Sequence, residues 1–291
     1  MLAELFAVMA PVLAGAGLGY AWVRLGHPYP VDFITRLVFN IGTPALVLAS
    51  LSGANIDAGT FGHVMLATAL VILTMGAASF LVAKLLGRHW RVVIAPMMYP
   101  NTGNMGLPVV LYAFGSAGFA YGITVMVTVS LFQFTLGAAL DAKGNPLKTL
   151  VKTPTVYAIV IAMALLLTDT PLPPWLANTV DLMSGFTVPL MLITLGVSLA
   201  SIQVKSLRSG VGFSLIRIPL AAVTAWFIAA WLGLPPLAQS ILVVQMCMPV
   251  AVFNYLFAQR AQREPAYVAS LVFCSTLLAL IYLPLLLALL M

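Results

Sequence analysis

The chain has 291 residues, of which 62% are hydrophobic and only 7% carry a charge. About a quarter of the residues of a soluble domain are charged, so this chain has too few charged side chains to cover a water-facing surface. The composition therefore excludes a soluble globular domain and predicts an all-α membrane protein with several spans.

Ten apolar segments result when the chain is divided at charged residues, prolines and polar clusters. The charge-free run from Val92 to Leu140 is divided near Gly115, and the acidic Glu4 argues against a cleaved signal peptide. A helix of about 20 apolar residues crosses a bilayer, so each segment is a predicted span. In chain order the predicted spans are 3–22, 33–52, 61–84, 92–113, 117–140, 154–169, 174–201, 209–232, 236–259 and 266–290.

The basic residues alternate along these spans. Twelve of the 13 Lys and Arg residues lie on or beside every second loop, and Arg217 is the exception. By the positive-inside rule these loops are cytoplasmic, so both termini are predicted on the non-cytoplasmic side of the cell (inner) membrane. Basic residues at span ends form no basic face for nucleic acid. The twelve are Arg24, Arg36, Lys84, Arg88, Arg91, Lys143, Lys148, Lys152, Lys205, Arg208, Arg260 and Arg263.

Prolines recur at corresponding positions in the two halves of the chain. Pro44 and Pro189 lie about midway in spans 2 and 7, and Pro100 and Pro249 interrupt spans 4 and 9. Both pairs are five spans apart, an odd number, so the second copy enters the membrane from the opposite side. Broken helices in inverted repeats indicate the binding site of a secondary transporter. The predicted repeats are residues 1–150 and 151–291, each with five spans.

Span 4 carries the sequence YPNTGNMGLP at 99–108. Pro100 cannot donate a backbone N–H, so the helix that enters from the cytoplasm should end just before it. Gly103 and Gly106 permit unwound backbone, and Pro108 suits the first turn of a new helix. The new helix directs its positive N-terminal end at the membrane centre, which favours an anion. In span 1, we expect Gly15, Gly17 and Gly19 to permit close helix contact.

The ten-span plan and the two broken spans, NTGNMGLP at 101–108 and MPVAVFNY at 248–255, resemble the auxin efflux carrier family. This family includes plant auxin exporters and bacterial permeases for malonate, malate and similar acids. The short segment from Asp141 to Thr153 replaces the long cytoplasmic loop of many plant members, which favours the bacterial branch. The resemblance implies the fold of the bile-acid sodium symporters, in which spans 4 and 9 cross. Spans 1, 2, 6 and 7 would form a scaffold and a homodimer interface, and spans 3–5 and 8–10 a mobile transport domain.

The predicted substrate site consists of polar donors and flexible backbone near the two breaks. A simple proline kink stays an alternative at each break, and so does snorkelling of Arg217 to the cytoplasmic interface. For Gln245 and Asn40, helix packing and repair of a kink are the alternatives. The predicted site residues are Asn40, Asn101, Thr102, Gly103, Asn104, Gly106, Pro108, Arg217, Gln245, Pro249 and Asn254. The predicted helix breaks or hinges are Pro44, Pro100 and Pro189.

We expect a secondary carrier of a small organic anion that works by alternating access among membrane lipids. The resemblance implies an elevator-like slide of the transport domain. No nucleophile with a base and no acidic cluster lies at membrane depth, so neither an intramembrane enzyme nor a metal or cofactor is expected. The mid-depth parts of spans 3–5 and 8–10 contain no carboxylate, so H⁺ or Na⁺ coupling would use carbonyls, amides or Arg217. An anion channel and an exporter of indole or other acids stay open as alternatives.

Overall fold

The computed structural model describes residues 2–52, 58–140, 153–168, 170–202 and 206–291, and the structural statements below concern these ranges. Two short segments are π-helical, with hydrogen bonds that span five residues instead of four. The first π segment is Val38–Gly42 and the second is Thr102–Gly106. The α-helices are α1 (Leu2–Arg24), α2 (Val31–Leu37), α3 (Thr43–Ser52), α4 (Ala58–Leu85), α5 (Trp90–Met98), α6 (Leu107–Leu140), α7 (Pro154–Leu167), α8 (Pro174–Gly185), α9 (Thr187–Ser201), α10 (Leu207–Trp231), α11 (Pro236–Met246), α12 (Val252–Arg260) and α13 (Pro265–Leu290).

Seven stretches of the described chain are long and apolar enough to cross a membrane. Two further apolar helices, Pro154–Leu165 and Pro236–Met246, are shorter. The all-α, multi-pass membrane class that the composition predicts is therefore confirmed. The seven stretches are Leu5–Arg24, Val31–Ser50, Gly59–Leu85, Thr102–Gln133, Pro174–Ser201, Leu207–Trp231 and Pro265–Leu290.

The seven stretches and the ten predicted spans differ where helices are short or interrupted. Predicted spans 4 and 9 are each divided by a non-helical link, and predicted span 6 corresponds to α7, which has 14 residues. Predicted spans 4 and 5 are separated within α6 by Gly115, whose φ of +66° and ψ of −162° interrupt the helical geometry. Glycine adopts this backbone conformation without a steric penalty. A count of ten crossings stays a prediction.

Each of the four repeated prolines stands at a helix interruption. Pro100 lies between α5 and the second π segment, and Pro249 lies between α11 and α12. Pro44 is the second residue of α3, directly after the first π segment, and Pro189 lies in the first turn of α9, after α8 has ended at Gly185. Proline lacks an N–H and its ring clashes with the preceding turn, which explains the interruptions. A hinge motion at these prolines stays a prediction.

The helices pack into two groups, here called the first and the second helix group. In the first group, α1 packs against α9, and α3 packs against α7 and α8. In the second group, α4 packs against α5, α6 and α10, while α10 also contacts α11 and α13, and α12 contacts α13. The groups meet where α9 contacts the second π segment and where α1 and α3 contact α6. The first group consists of predicted spans 1, 2, 6 and 7, and the second consists of spans 3–5 and 8–10.

Glycines permit a close approach between α1 and α9. A methyl group on Gly19 would collide with the main-chain carbonyl of Ile193, and a methyl group on Gly196 would collide with that of Ala16. Gly17, on another face of α1, has open space around it. A methyl group on Gly15 would meet Leu192 of α9, so the expected role in close helix contact holds for Gly15 and Gly19 and is wrong for Gly17.

Several basic loops lie together at one end of the molecule, here called the basic end. Arg88 donates to Glu264 at 2.7 Å and its guanidinium lies 4.6 Å from the ring centre of Tyr267. The N–H of Ser206 donates to Ser270 Oγ at 3.2 Å. These contacts join the loops that precede α5 and α10 to the beginning of α13. The basic residues outside the described ranges are Lys143, Lys148, Lys152 and Lys205.

Candidate functional site

The two interrupted helices cross where their non-helical links run antiparallel. The main-chain N–H of Asn101 donates to the carbonyl oxygen of Pro249 at 2.7 Å, and that of Ala251 donates to the carbonyl oxygen of Tyr99 at 3.2 Å. At this crossing α5 and α11 end, whereas α12 and, through the second π segment, α6 begin. Two helix C-termini with partial negative charge and two N-termini with partial positive charge therefore meet inside the protein.

Arg217 on α10 binds carbonyl groups at the two helix C-termini. In an uninterrupted helix the carbonyl of Pro96 would accept from the N–H of residue 100, but Pro100 has no N–H. Arg217 Nε donates to this oxygen at 2.9 Å, and its Nη1 donates to the carbonyl oxygen of Met248 at 2.9 Å. The Arg217 side chain is only 1% exposed. It therefore holds the two broken helices together from the interior, which excludes the alternative of snorkelling to the cytoplasmic interface.

Asn254 lies on α12 and forms a second side-chain link across the crossing, to the end of α5. Its Nδ2 donates to the carbonyl oxygen of Tyr99 at 2.9 Å, and the side chain is 1% exposed. Its Oδ1 is buried without a hydrogen-bond partner among the described residues, and Asn254 is not among the residues that line the cavity described below. Asn254 therefore belongs to the frame of the crossing.

Two side chains of α13 complete the crossing, although the sequence did not single them out. The hydroxyl of Tyr282 donates to the carbonyl oxygen of Cys247 at 2.6 Å. The Oγ of Ser275 accepts from the main-chain N–H of Val250 at 3.0 Å. About two helical turns separate Ser275 from Tyr282, so both lie on one face of α13. Two polar residues at this spacing in an otherwise apolar span could have indicated from the sequence that this face of α13 contacts the crossing.

A narrow cavity, with room for water of about 30 Å³, lies between the two helix groups, next to the crossing. The first group contributes α2, the first π segment and α9, and the second contributes the second π segment and α12. The Phe39 and Phe253 rings meet edge to face, with their centroids 5.3 Å apart, and so connect the groups at the cavity wall. The lining residues are Val31, Thr35, Val38, Phe39, Asn104, Met191, Thr194, Ser198, Val252, Phe253 and Leu256, none of which carries a charge.

The polar side of this cavity consists of Asn104 and the beginning of α12. Asn104 lies in the second π segment, just before α6. Val252 and Phe253, the first two residues of α12, also line the cavity, so the positive end of that helix faces it. The hydroxyl groups of Thr35, Thr194 and Ser198 are further hydrogen-bonding groups in the lining. This arrangement suits a ligand with a negatively charged oxygen and an apolar body.

The cavity lies beside the start of α2 and the C-terminal part of α9. Near the loop between α1 and α2, the Tyr29 hydroxyl and Thr194 Oγ1 lie 2.8 Å apart in a hydrogen bond. Burial raises the pKa of Tyr29, and the hydrogen bond with Thr194 partly offsets that shift. Met105 of the second π segment, Val109 of α6 and Val12 of α1 are buried in one apolar cluster. A second pocket lies between α1, α6 and the adjoining ends of α8 and α9.

Of the predicted residues in span 4, only Asn104 lines this cavity. Asn101 and Thr102 are buried at the crossing, and the Asn101 Nδ2 has no hydrogen-bond partner there. A side chain on Gly106 would displace the end of the Gln245 side chain, so this glycine permits close packing. Pro108 occupies the first turn of α6, as its missing N–H predicts. Gly103 is half-buried in the second π segment.

The other predicted residues lie away from the cavity lining. Gln245 is fully buried and its Nε2 donates to the Gly122 carbonyl oxygen at 3.4 Å, which matches the helix-packing alternative. Pro249 is part of the crossing and Arg217 binds main-chain carbonyls. Asn40 is exposed, whereas its neighbour Phe39 lines the cavity. The π-helical turns before Pro44 change the helical register, so a position read from regular helix geometry is misplaced.

Comparison with known proteins places the chain among membrane transporters. A family model described as "Membrane transport protein" matches residues 5–143 and 142–287. An uncharacterized transporter of Methanothermobacter thermautotrophicus is 29% identical over 290 residues, which cover 92% of each chain. An uncharacterized transporter of Methanocaldococcus jannaschii is 24% identical over 269 residues, which cover 85% of this chain and 86% of the relative.

Proposed function

Since the chain belongs to the auxin efflux carrier family of membrane transport proteins, we propose that it is a secondary transporter of a small organic anion. Malonate-like and malate-like carboxylates are the first candidate substrates. The observation that carries the proposal is the position of the cavity between the two helix groups, beside the crossing of α5 and α11. A ligand there contacts both groups at once, so their relative movement changes its access to the two sides.

The polar groups of the cavity support a carboxylate ligand. The Asn104 amide and the N-terminal end of α12 can donate to one carboxylate, and neither needs a charged side chain. Arg217 caps the two opposing C-terminal ends, so the partial negative charges at the crossing are offset. The electrostatic field at the ligand is therefore determined by the N-terminal end of α12.

The family and the crossing also support a specific architecture and motion. We propose ten crossings in two inverted five-helix repeats, because the corresponding prolines interrupt helices that run antiparallel at the crossing. The second helix group would slide along the first in an elevator-type cycle, with the first group forming a homodimer interface. The basic end would face the cytoplasm and both termini the opposite side of the inner membrane. The cavity then represents an inward-facing state.

A second candidate substrate class follows from the apolar part of the lining. Val38, Phe39, Met191, Phe253 and Leu256 occupy most of the wall opposite the polar groups. Apolar and aromatic walls bind apolar ligand surface, with a few polar groups to fix orientation. Export of an aromatic or indole-type acid is therefore the alternative to transport of a short dicarboxylate.

Counterflow in proteoliposomes tests the proposal. Purified protein would be reconstituted, and uptake of labelled malonate, malate and an indole acid would be measured with and without the same acid trapped inside. A carrier gives saturable uptake that increases with internal substrate, and Asn104→Ala proteoliposomes serve as the inactive control. Uptake that neither saturates nor responds to internal substrate would indicate an anion channel. Absence of protein-dependent uptake for all mono-, di- and tricarboxylates and indole acids would overturn the proposed function.

A further inference from the structure

The buried guanidinium of Arg217 lies at a position where broken-helix transporters hold a free cation. In such transporters, the C-terminal ends of half-helices and unwound carbonyls coordinate Na⁺ or H⁺ near the membrane midplane. Here Arg217 donates to the carbonyls of Pro96 and Met248, at the ends of α5 and α11. We propose that Arg217 is a tethered substitute for a monovalent coupling cation, so that transport by this protein needs no Na⁺ or K⁺ at the crossing. The transport part of this inference depends on the proposed function.

The charge at this position is balanced by helix ends. Among the described residues, the hydrogen-bond partners of Arg217 are these two main-chain carbonyls, and its Nη2 is buried without a partner. A buried charge without compensation is very costly, so something must stabilise it. A helix C-terminus carries roughly half a negative charge, so the two ends together offset about one guanidinium. One fixed positive charge is therefore enough to balance the partial negative charges of the two helix C-termini.

The tether explains why the cation cannot couple transport to an ion gradient. α10, which carries Arg217, packs in the same helix group as α5 and α11. The guanidinium would thus move together with the carbonyls that it binds and would never exchange with either side of the membrane. A free Na⁺ at the same carbonyls could bind on one side and leave on the other.

The wild-type protein gives the first test. Thermal unfolding of the purified full-length chain would be measured in NaCl, KCl and choline chloride at equal ionic strength. The proposal expects unfolding temperatures that agree within about 1 °C, since the cation position is already filled. A saturable stabilisation of the wild type by Na⁺ or K⁺ over choline would overturn it.

Substitution of Arg217 gives the second test. Arg217→Ala removes the guanidinium and leaves space at the two carbonyls, so its unfolding temperature should fall and then rise saturably, by about 5 °C, with millimolar guanidinium or with Na⁺. Arg217→Met fills the space without a charge and should show the fall without the recovery. Arg208→Ala, at the exposed start of the same helix, controls for loss of a positive charge. Absence of a cation response in Arg217→Ala, or an equal response in Arg217→Met, would overturn the proposal.

A third variant decides the matter if Arg217→Ala does not fold. Arg217→Lys keeps a fixed charge near the carbonyls, so it should fold and show no preference among Na⁺, K⁺ and choline. A Na⁺ requirement in this variant would contradict the tethered-cation role. These readouts use no transported substrate, so failure of the proposed transport function leaves their interpretation unchanged.

Discussion

The side-chain amide of Asn254 donates to the main-chain carbonyl of Tyr99 at 2.9 Å and so fixes the start of α12 to the end of α5. Asn104, by contrast, lines the cavity between the two helix groups. The sequence motifs assigned both asparagines to one anion site. The structure assigns Asn254 to the frame of the crossing and leaves Asn104 available for a ligand, and this difference can be measured.

Asn254→Leu should lower the stability of the unliganded protein. The substitution removes a buried hydrogen bond to the backbone, which costs about 1–3 kcal/mol. Thermal unfolding in detergent measures the change, and Asn40→Leu, at an exposed asparagine of the first π segment, is the matched control. An Asn254→Leu protein as stable as the control would contradict a framing role for this residue.

Asn104→Ala should leave the stability of the unliganded protein nearly unchanged and remove its stabilisation by ligand. It removes a half-buried amide at the cavity wall, so the unliganded unfolding temperature should change by less than about 2 °C. The stabilisation that a bound carboxylate gives to the wild type should disappear, because the variant lacks the donor that contacts the ligand. Asn104→Asp should also abolish this stabilisation, since it places a negative charge beside the anion. Ligand stabilisation that persists in both variants would show that the anion binds elsewhere.

Ser198→Cys should report both the sidedness of the cavity and its occupancy. Ser198 lines the cavity, so a thiol there should react with a membrane-impermeant maleimide only from the basic end, and substrate should slow the reaction at least about fivefold. Labelling would be measured in oriented vesicles after Cys247 and Cys274, both buried, have been replaced by alanine.

Two loop positions calibrate the sidedness of this experiment. His27→Cys, before α2, should label from the same side as Ser198→Cys, and Thr170→Cys, between α7 and α8, should label from the opposite side. Both positions are exposed, and substrate should protect neither of them. If His27→Cys and Thr170→Cys label from one side, the inverted-repeat topology is wrong.

Gly19→Ala should destabilise the packing of α1 against α9, whereas Gly17→Ala should not. A methyl group at position 19 meets the main-chain carbonyl of Ile193, which cannot move away without shifting α9, and overpacking of this kind costs about 1–3 kcal/mol. Position 17 faces open space, and alanine there improves helix propensity by up to about 1 kcal/mol. Unfolding temperatures of the two variants give the comparison. Equal effects would mean that the close approach of the two helices is not maintained in the membrane.

The sequence by itself determined the class of protein and the places where its helices are interrupted. Sparse charge leaves the chain no water-facing surface, so the membrane class follows from composition alone. Pro44, Pro100, Pro189 and Pro249 lie at or near changes in helical geometry, because a missing N–H and a ring clash are local effects, whereas Pro96 and Pro219 lie inside α-helices. Gly115 likewise marks the bend in α6, since its backbone conformation is local.

Only the tertiary structure decided which polar side chains face the cavity and which hold the crossing together. Asn104 and Asn254 each follow a proline, Pro100 or Pro249, by four or five residues, but the partner of Asn254 is the carbonyl of Tyr99, 155 residues away. Arg217 could not be assigned from sequence, because the carbonyls that it binds belong to two other helices. Local rules predict where a backbone group loses its partner. Which side chain replaces the lost hydrogen-bond partner depends on the helix that packs beside that backbone group, and this packing is a property of the whole fold.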